Sequence, residues 1–147
     1  MRSTLGALAI LLGTSLTANS APLCDNLGFA GLMAKCNKGE EIELTLSSGA
    51  PLHDGDIKLE SGAYYEMMIT SDGSAELALQ GAGFFRAIWM DEIVINDIEV
   101  RPMAVDSFEF DDAGTLELGF IAIKPGQYEL AVPGARGDSQ RVKISIQ

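Results

Sequence analysis

Few side chains in this chain offer metal or redox chemistry: one histidine, two cysteines and six methionines. His53 sits in Leu52-His-Asp-Gly-Asp56, where an imidazole flanked by Asp54 and Asp56 has the donor types of a divalent-cation site. One histidine does not complete such a site, so the plainer reading is an exposed residue in an Asp-Gly turn. Met68, Met90 and Met103 carry thioethers, which suit Cu(I). Two or three of them converging on one end of a fold, with or without His53, would hold copper weakly. Core packing is the ordinary task of methionine, and Met67, on the inward face of its strand, is assigned to it. The acidic turns Asp54-Gly-Asp56, Asp91-Glu92 and Asp111-Asp112 lack the EF-hand spacing, and turn chemistry accounts for them.

Catalytic patterns are missing. There is no Ser-x-x-Lys and no Gly-x-Ser-x-Gly, a Ser-His-Asp assembly would have to use His53, and no carboxylate pair stands out as an acid/base couple. An enzyme is not expected. The aromatic concentration Phe84-Phe-Arg-Ala-Ile-Trp89 either plugs one end of the core or presents Phe84, Arg86 and Trp89 to a partner, since aromatics and Arg dominate binding hot spots. Arg136-Gly-Asp138 is too short a match to carry meaning.

These groups sit in an exported, acidic chain. Arg2, the apolar run Leu5 to Leu12 and the small residues up to Ala21 read as a secretory signal over residues 1–21. The run is too short to span a bilayer as a helix, and no later segment is apolar enough to do so. The formal net charge of −11 repels nucleic acid and anionic lipid. In an exported chain, Cys24 and Cys36 are most simply a disulfide. Their spacing is far wider than the C-x-x-C of metal and redox pairs.

The elements that position these residues follow from alternation. Ile42, Leu44 and Leu46 alternate with polar residues, and so do Tyr65, Met67 and Ile69; Leu77 and Leu79; Leu116, Leu118 and Phe120; Tyr128, Leu130 and Val132; and Val142, Ile144 and Ile146. Ile57 to Leu59, Ile93 to Ile95, Ile98 to Val100 and Phe108 to Phe110 add shorter strands. Gly, Pro, Asp and Asn turns separate them, including Ser71-Asp-Gly-Ser74, Asn96-Asp97 and Pro125-Gly126. Phe84 to Asp91 fits either a helical stripe or a buried connector, and Leu27 to Lys35 fits a helical turn or two held between the cysteines. Eight or nine short strands predict an all-β antiparallel Greek-key sandwich, preceded by a short disulfide-tethered segment over residues 22–39.

Over residues 40–147 the chain resembles the cupredoxins. Ile57-Lys-Leu-Glu-Ser-Gly-Ala-Tyr64 is similar to that family's I-x-L-x-x-G-x-Y segment, and Pro125-Gly-Gln-Tyr-Glu-Leu130 to its last hairpin. The Phe-Phe-Arg segment is similar to that of periplasmic cupredoxin-like proteins that accompany iron or copper uptake systems. The resemblance implies a cupredoxin-type sandwich or barrel and a periplasmic or secreted location. It also implies places for blue-copper ligands: the first histidine near Glu76, the cysteine near Val132 and the second histidine near Ala135. None of these residues is a ligand of that kind, and no Cys, His or Met follows Met103. The expected function is therefore a non-enzymatic accessory of periplasmic copper or iron handling, without a blue-copper site. It would bind copper weakly if it binds a cofactor at all, and contact a periplasmic or membrane metal-transport protein. The alternative is a sandwich that serves structure or protein interaction with no metal.

Overall fold

Alternating apolar residues become strands wherever they recur with period two. The computed structural model describes Cys24 and residues 31–147. The leader over residues 1–21 and residues 27–30 of the expected helical turn lie outside the described residues. The strands are β1 (Ile42–Leu46), β2 (Ile57–Leu59), β3 (Tyr64–Ser71), β4 (Leu77–Gln80), β5 (Ile88–Ile95), β6 (Ile98–Val100), β7 (Ser107–Phe110), β8 (Gly114–Ala122), β9 (Gly126–Ala131) and β10 (Arg141–Ile146). A one-turn helix, α1 (Ala82–Phe85), separates β4 from β5, and Lys35–Asn37 forms a 3-10 turn.

Two five-stranded sheets form, in the orders β1-β3-β8-β5-β6 and β2-β10-β9-β4-β7. The expected sandwich is present, and both of its sheets are mixed. β1 joins β3 in parallel with Ile42 opposite Met67, and β2 joins β10 in parallel with Ile57 opposite Ile144. The other pairings are antiparallel. The segment between β1 and β2 carries the chain from one sheet to the other, so each N-terminal strand closes an edge in parallel.

The core lies between the two inner faces. Leu44, Leu46, Met67, Ile69, Leu118 and Phe120 come from the first sheet and Leu79, Leu130 and Ile144 from the second, all at most 1% exposed. Each such side chain contributes roughly 1.5–3 kcal/mol by leaving water. The polar residues between them face solvent, as the burial pattern of β1 shows.

The N-terminal segment is tied down from two directions. Cys24 and Cys36 form a disulfide. Next to it, the buried Asn37 donates its amide to the carbonyls of Leu32 and Gly62, each at 2.9 Å. The Gly39 N–H then bonds to Tyr64 O at 2.8 Å, and Lys38 pairs with Glu66. At a sandwich end, Asp72 accepts from Ser47 Oγ at 2.6 Å and from the Ser74 N–H at 2.8 Å. The hydrogen bond from Ser47, followed by those from Ser74, holds this carboxyl below its usual range. The loop after β1 and the turn after β3 are clamped together by it. Gly73 makes that turn at φ +72°, where a Cβ would also press on the Ala113 backbone.

Candidate partner-binding groove

Phe84 and Trp89, five residues apart, go to opposite sides of the structure. α1 ends at Phe85 and β5 starts at Ile88, so the period changes between the two aromatics. Phe84 turns inward and is fully buried against Phe120, Phe85 and Tyr128. Phe85 follows it and packs edge-on against Phe108 at 5.7 Å. Trp89 lies in β5 opposite Ile121, which is opposite Tyr64 on the next strand but one. It sits on the outer face of the first sheet and is 49% exposed. Of the three expected surface residues, Phe84 is therefore corrected to core, because helical geometry carries it under the sandwich end. Arg86 and Trp89 are exposed.

Both line a groove of about 430 Å³ with Phe85, Ile88, Met90, Pro102, Met103 and Ala104. Its floor is the edge of β5, which runs on where the shorter β6 has stopped. Its far wall is the Pro102–Ala104 segment. Met103 is fully exposed on that wall, and Arg86 makes no ion pair among the described residues. Sequence reading missed Phe85, Ile88, Pro102 and Ala104 as lining residues. Pro102, two residues past the end of β6, was the available signal, since proline ends pairing.

Arg101 holds that wall in place. Its guanidinium reaches Asp91 Oδ1 at 3.0 Å, Glu92 Oε2 at 2.9 Å and Glu99 Oε2 at 2.9 Å. Asp91 is the extra residue of a β-bulge and Glu92 follows it, the register of β5 on β8 shifting between Met90 and Glu92. The bulge turns Asp91 and Glu92 to the same outer side. Tyr64 donates to Asp91 Oδ2 at 3.4 Å, and its hydroxyl occupies the space above Gly119 that a Cβ would take. Burial, together with Asp91 and Glu92, pushes that phenol well above its ordinary range. Glu117 lies on this face too. Burial first, then the charges of Glu66 and Glu92, raise its carboxyl.

The four expected metal-ligating residues do not converge. Met90 and Met103 share the groove. Met68 lies half-buried on the outer face, between Glu43 of β1 and Glu117 of β8. His53 is in a separate loop, its Nδ1 2.9 Å from Gly55 O, among Glu40, Glu41, Asp56, Asp138 and Arg141. The places that the cupredoxin resemblance gives to copper ligands are also apart. Glu76 is exposed and groups with Glu109 and Asp111, their oxygens within 4.8 Å of one another. Val132 and Ala135 belong to a tight turn, closed by the Ala135 N–H on Val132 O at 3.2 Å. No described helix is long and apolar enough to cross a membrane.

No protein-family model matches this chain, and no curated protein sequence matches it. Its fold is similar to that of solved copper proteins. One is a multicopper oxidase, with a TM-score of 0.53 and 5% identity over 74% of this chain and 44% of that one. Another is a copper nitrite reductase from Nitrosomonas europaea, with a TM-score of 0.50 and 15% identity over 64% of this chain and 33% of that one. The chain spans less than half the length of either protein. Identities this low show the fold alone, and that fold is of cupredoxin type.

Proposed function

We propose that this chain is an exported, non-enzymatic cupredoxin-like accessory protein of metal handling, which works by contacting a partner at the Arg86–Trp89–Met103 groove and has no blue-copper centre. One observation carries the contact reading. Of the seven large hydrophobic side chains exposed among the described residues, Trp89 and Met103 line this one groove, together with the exposed Arg86. Concentrated apolar exposure marks interaction sites, and Trp and Arg are the anchors that such sites favour.

Ligand chemistry supports the second half. A blue centre needs a thiolate and two imidazoles in one plane. This chain has one histidine, and both of its cysteines are in the disulfide. These residues do not fit a blue-copper ion, so no electron-transfer step is assigned to one. The link to metal handling rests on the shared fold, which is an analogy. It points to a periplasmic or membrane metal-transport protein as the partner. An interaction module unconnected with metal would use the same groove and differ only in what it binds.

A photo-crosslinking residue in place of Met103, in cells that make the protein, tests both. A discrete crosslinked partner is expected, and it should disappear on Trp89→Ala combined with Arg86→Glu while the thermal midpoint stays within a few degrees. The partner's identity separates metal handling from other work. A crosslink that persists in the double variant would contradict the groove.

A further inference from the structure

The last strand of the first sheet, β6, has no neighbour on its far side among the described residues. It is reached through Asn96-Asp97, both at positive φ, 49° and 62°. That is the geometry of a two-residue type I′ hairpin. In such a hairpin the flanking pair, Ile95 and Ile98, exchanges both hydrogen bonds, and the pair Ile93 and Val100 does so again. Glu99, between them, turns its N–H and C=O away from β5, toward the open edge.

The pleat sorts the side chains at this edge. Ile98 and Val100 stand opposite Ile95 and Ile93, so all four continue the core side of the sheet. Ile93 is buried, but Ile95, Ile98 and Val100 are 42%, 65% and 44% exposed, because the hairpin reaches beyond the cover of the second sheet. Glu99 is on the opposite side with Val94 and Glu117, beside Asp91 and Glu92. Arg101 is already shared there among Asp91, Glu92 and Glu99, and Lys38 is paired with Glu66 on the same face.

We propose that the β6 edge takes up an extended strand of a partner protein in which basic and apolar residues alternate. Glu99 would provide the main-chain bonds, as in strand addition to a sheet edge. The partner's apolar side chains would cover Ile95, Ile98 and Val100, and its basic ones would meet the carboxylate face. A short strand with a charge at its centre is a usual guard against indiscriminate pairing. Here the guard also selects, since Glu99 repels an acidic strand and leaves a neutral one unmatched. A second copy of this chain is a poor occupant, because it would bring another Glu99 and a net charge of −11 to the same face. The proposal rests on the partner-contact reading, since the edge runs on into the groove at Pro102.

The probe is a capped synthetic peptide of alternating Lys and Val, roughly six residues long like an average strand, with a Glu-Val peptide as its control. Saturable binding of the Lys-Val peptide is expected, weakening as salt is added, with no binding of the control. Glu99→Pro removes the edge N–H without touching the β5 ladder, so its thermal midpoint should hold while binding falls about tenfold. Glu99→Gln keeps the N–H and should lose less. Trp89→Ala separates the two readings. Binding that falls with Glu99→Pro and survives Trp89→Ala supports the edge. Binding that falls only with Trp89→Ala overturns the edge and leaves the groove. No saturable binding, equal binding of both peptides, or self-association of the chain in place of binding also overturns the proposal.

Discussion

Phe84→Ala is expected to destabilise the protein by about 3–5 kcal/mol, the usual cost of emptying a buried phenylalanine site. The ring is fully buried and joins three elements. It meets Phe85 of α1 at 5.8 Å, stands edge-on to Phe120 of β8 at 5.6 Å, and reaches Tyr128 of β9 at 6.4 Å. β8 belongs to one sheet and β9 to the other, so this ring closes an end of the sandwich. Sheets on either side of a missing ring cannot collapse onto it without breaking their ladders, which favours the upper part of the range. Urea unfolding of the variant, compared with Trp89→Ala, is the measurement. The half-exposed Trp89 should cost less than about 1 kcal/mol when removed, as surface sites do. Similar losses at both positions would mean that the two aromatics do not divide between core and surface.

Loss of the disulfide should cost about 3 kcal/mol on the chain-entropy model, given the twelve-residue separation of Cys24 and Cys36. Further bonds act in the same place. The 3-10 turn that holds Cys36 ends on Asn37, whose amide fastens the segment to the Gly62 carbonyl. Next comes the Gly39 bond to Tyr64 at the start of β3. Opening the loop makes all of these harder to form, because the unfolded segment samples more conformations. Cys24→Ser with Cys36→Ser, and the reduced wild type, should show the same drop in the denaturant midpoint. No drop in either would show that the hydrogen bonds of Asn37 and Gly39 suffice to anchor the segment.

Much of the fold was legible because alternation survives in single strands. Met67 in β3 reads as core beside Tyr65 and Ile69, and it is buried. Asn96-Asp97 reads as a turn because these two residues accept positive φ more readily than most, and both have it. The parallel joining of β1 to β3 and of β2 to β10 was not legible, since a side-chain period of two is the same in either direction. Nor was the bulge at Asp91, where one extra residue reverses which side a carboxylate faces. Phe84, Phe85, Ile88 and Trp89 look like one helical stripe. The helix lasts a single turn, so the stripe divides between core and groove. The exposure of Ile95, Ile98 and Val100 was hidden for another reason: their spacing is that of buried residues, and only the extent of the opposing sheet decides whether they are covered.

The same limit applies to the ligand positions. Reading residue types was enough to show that a thiolate and two imidazoles are missing, whatever the alignment. Where Met68, Met90, Met103 and His53 would lie relative to one another depended on the three-dimensional path. The structure places His53 and Met68 away from the groove that Met90 and Met103 share.

Titration of the oxidised protein with Cu(II), followed by visible absorption, tests the central claim most directly. The expected result is no intense thiolate-to-copper charge-transfer band at any copper ratio, with the cupredoxin fold retained by circular dichroism. An intense blue colour that saturates at one copper per chain would contradict it, since that centre would need a free thiolate where this chain has a disulfide.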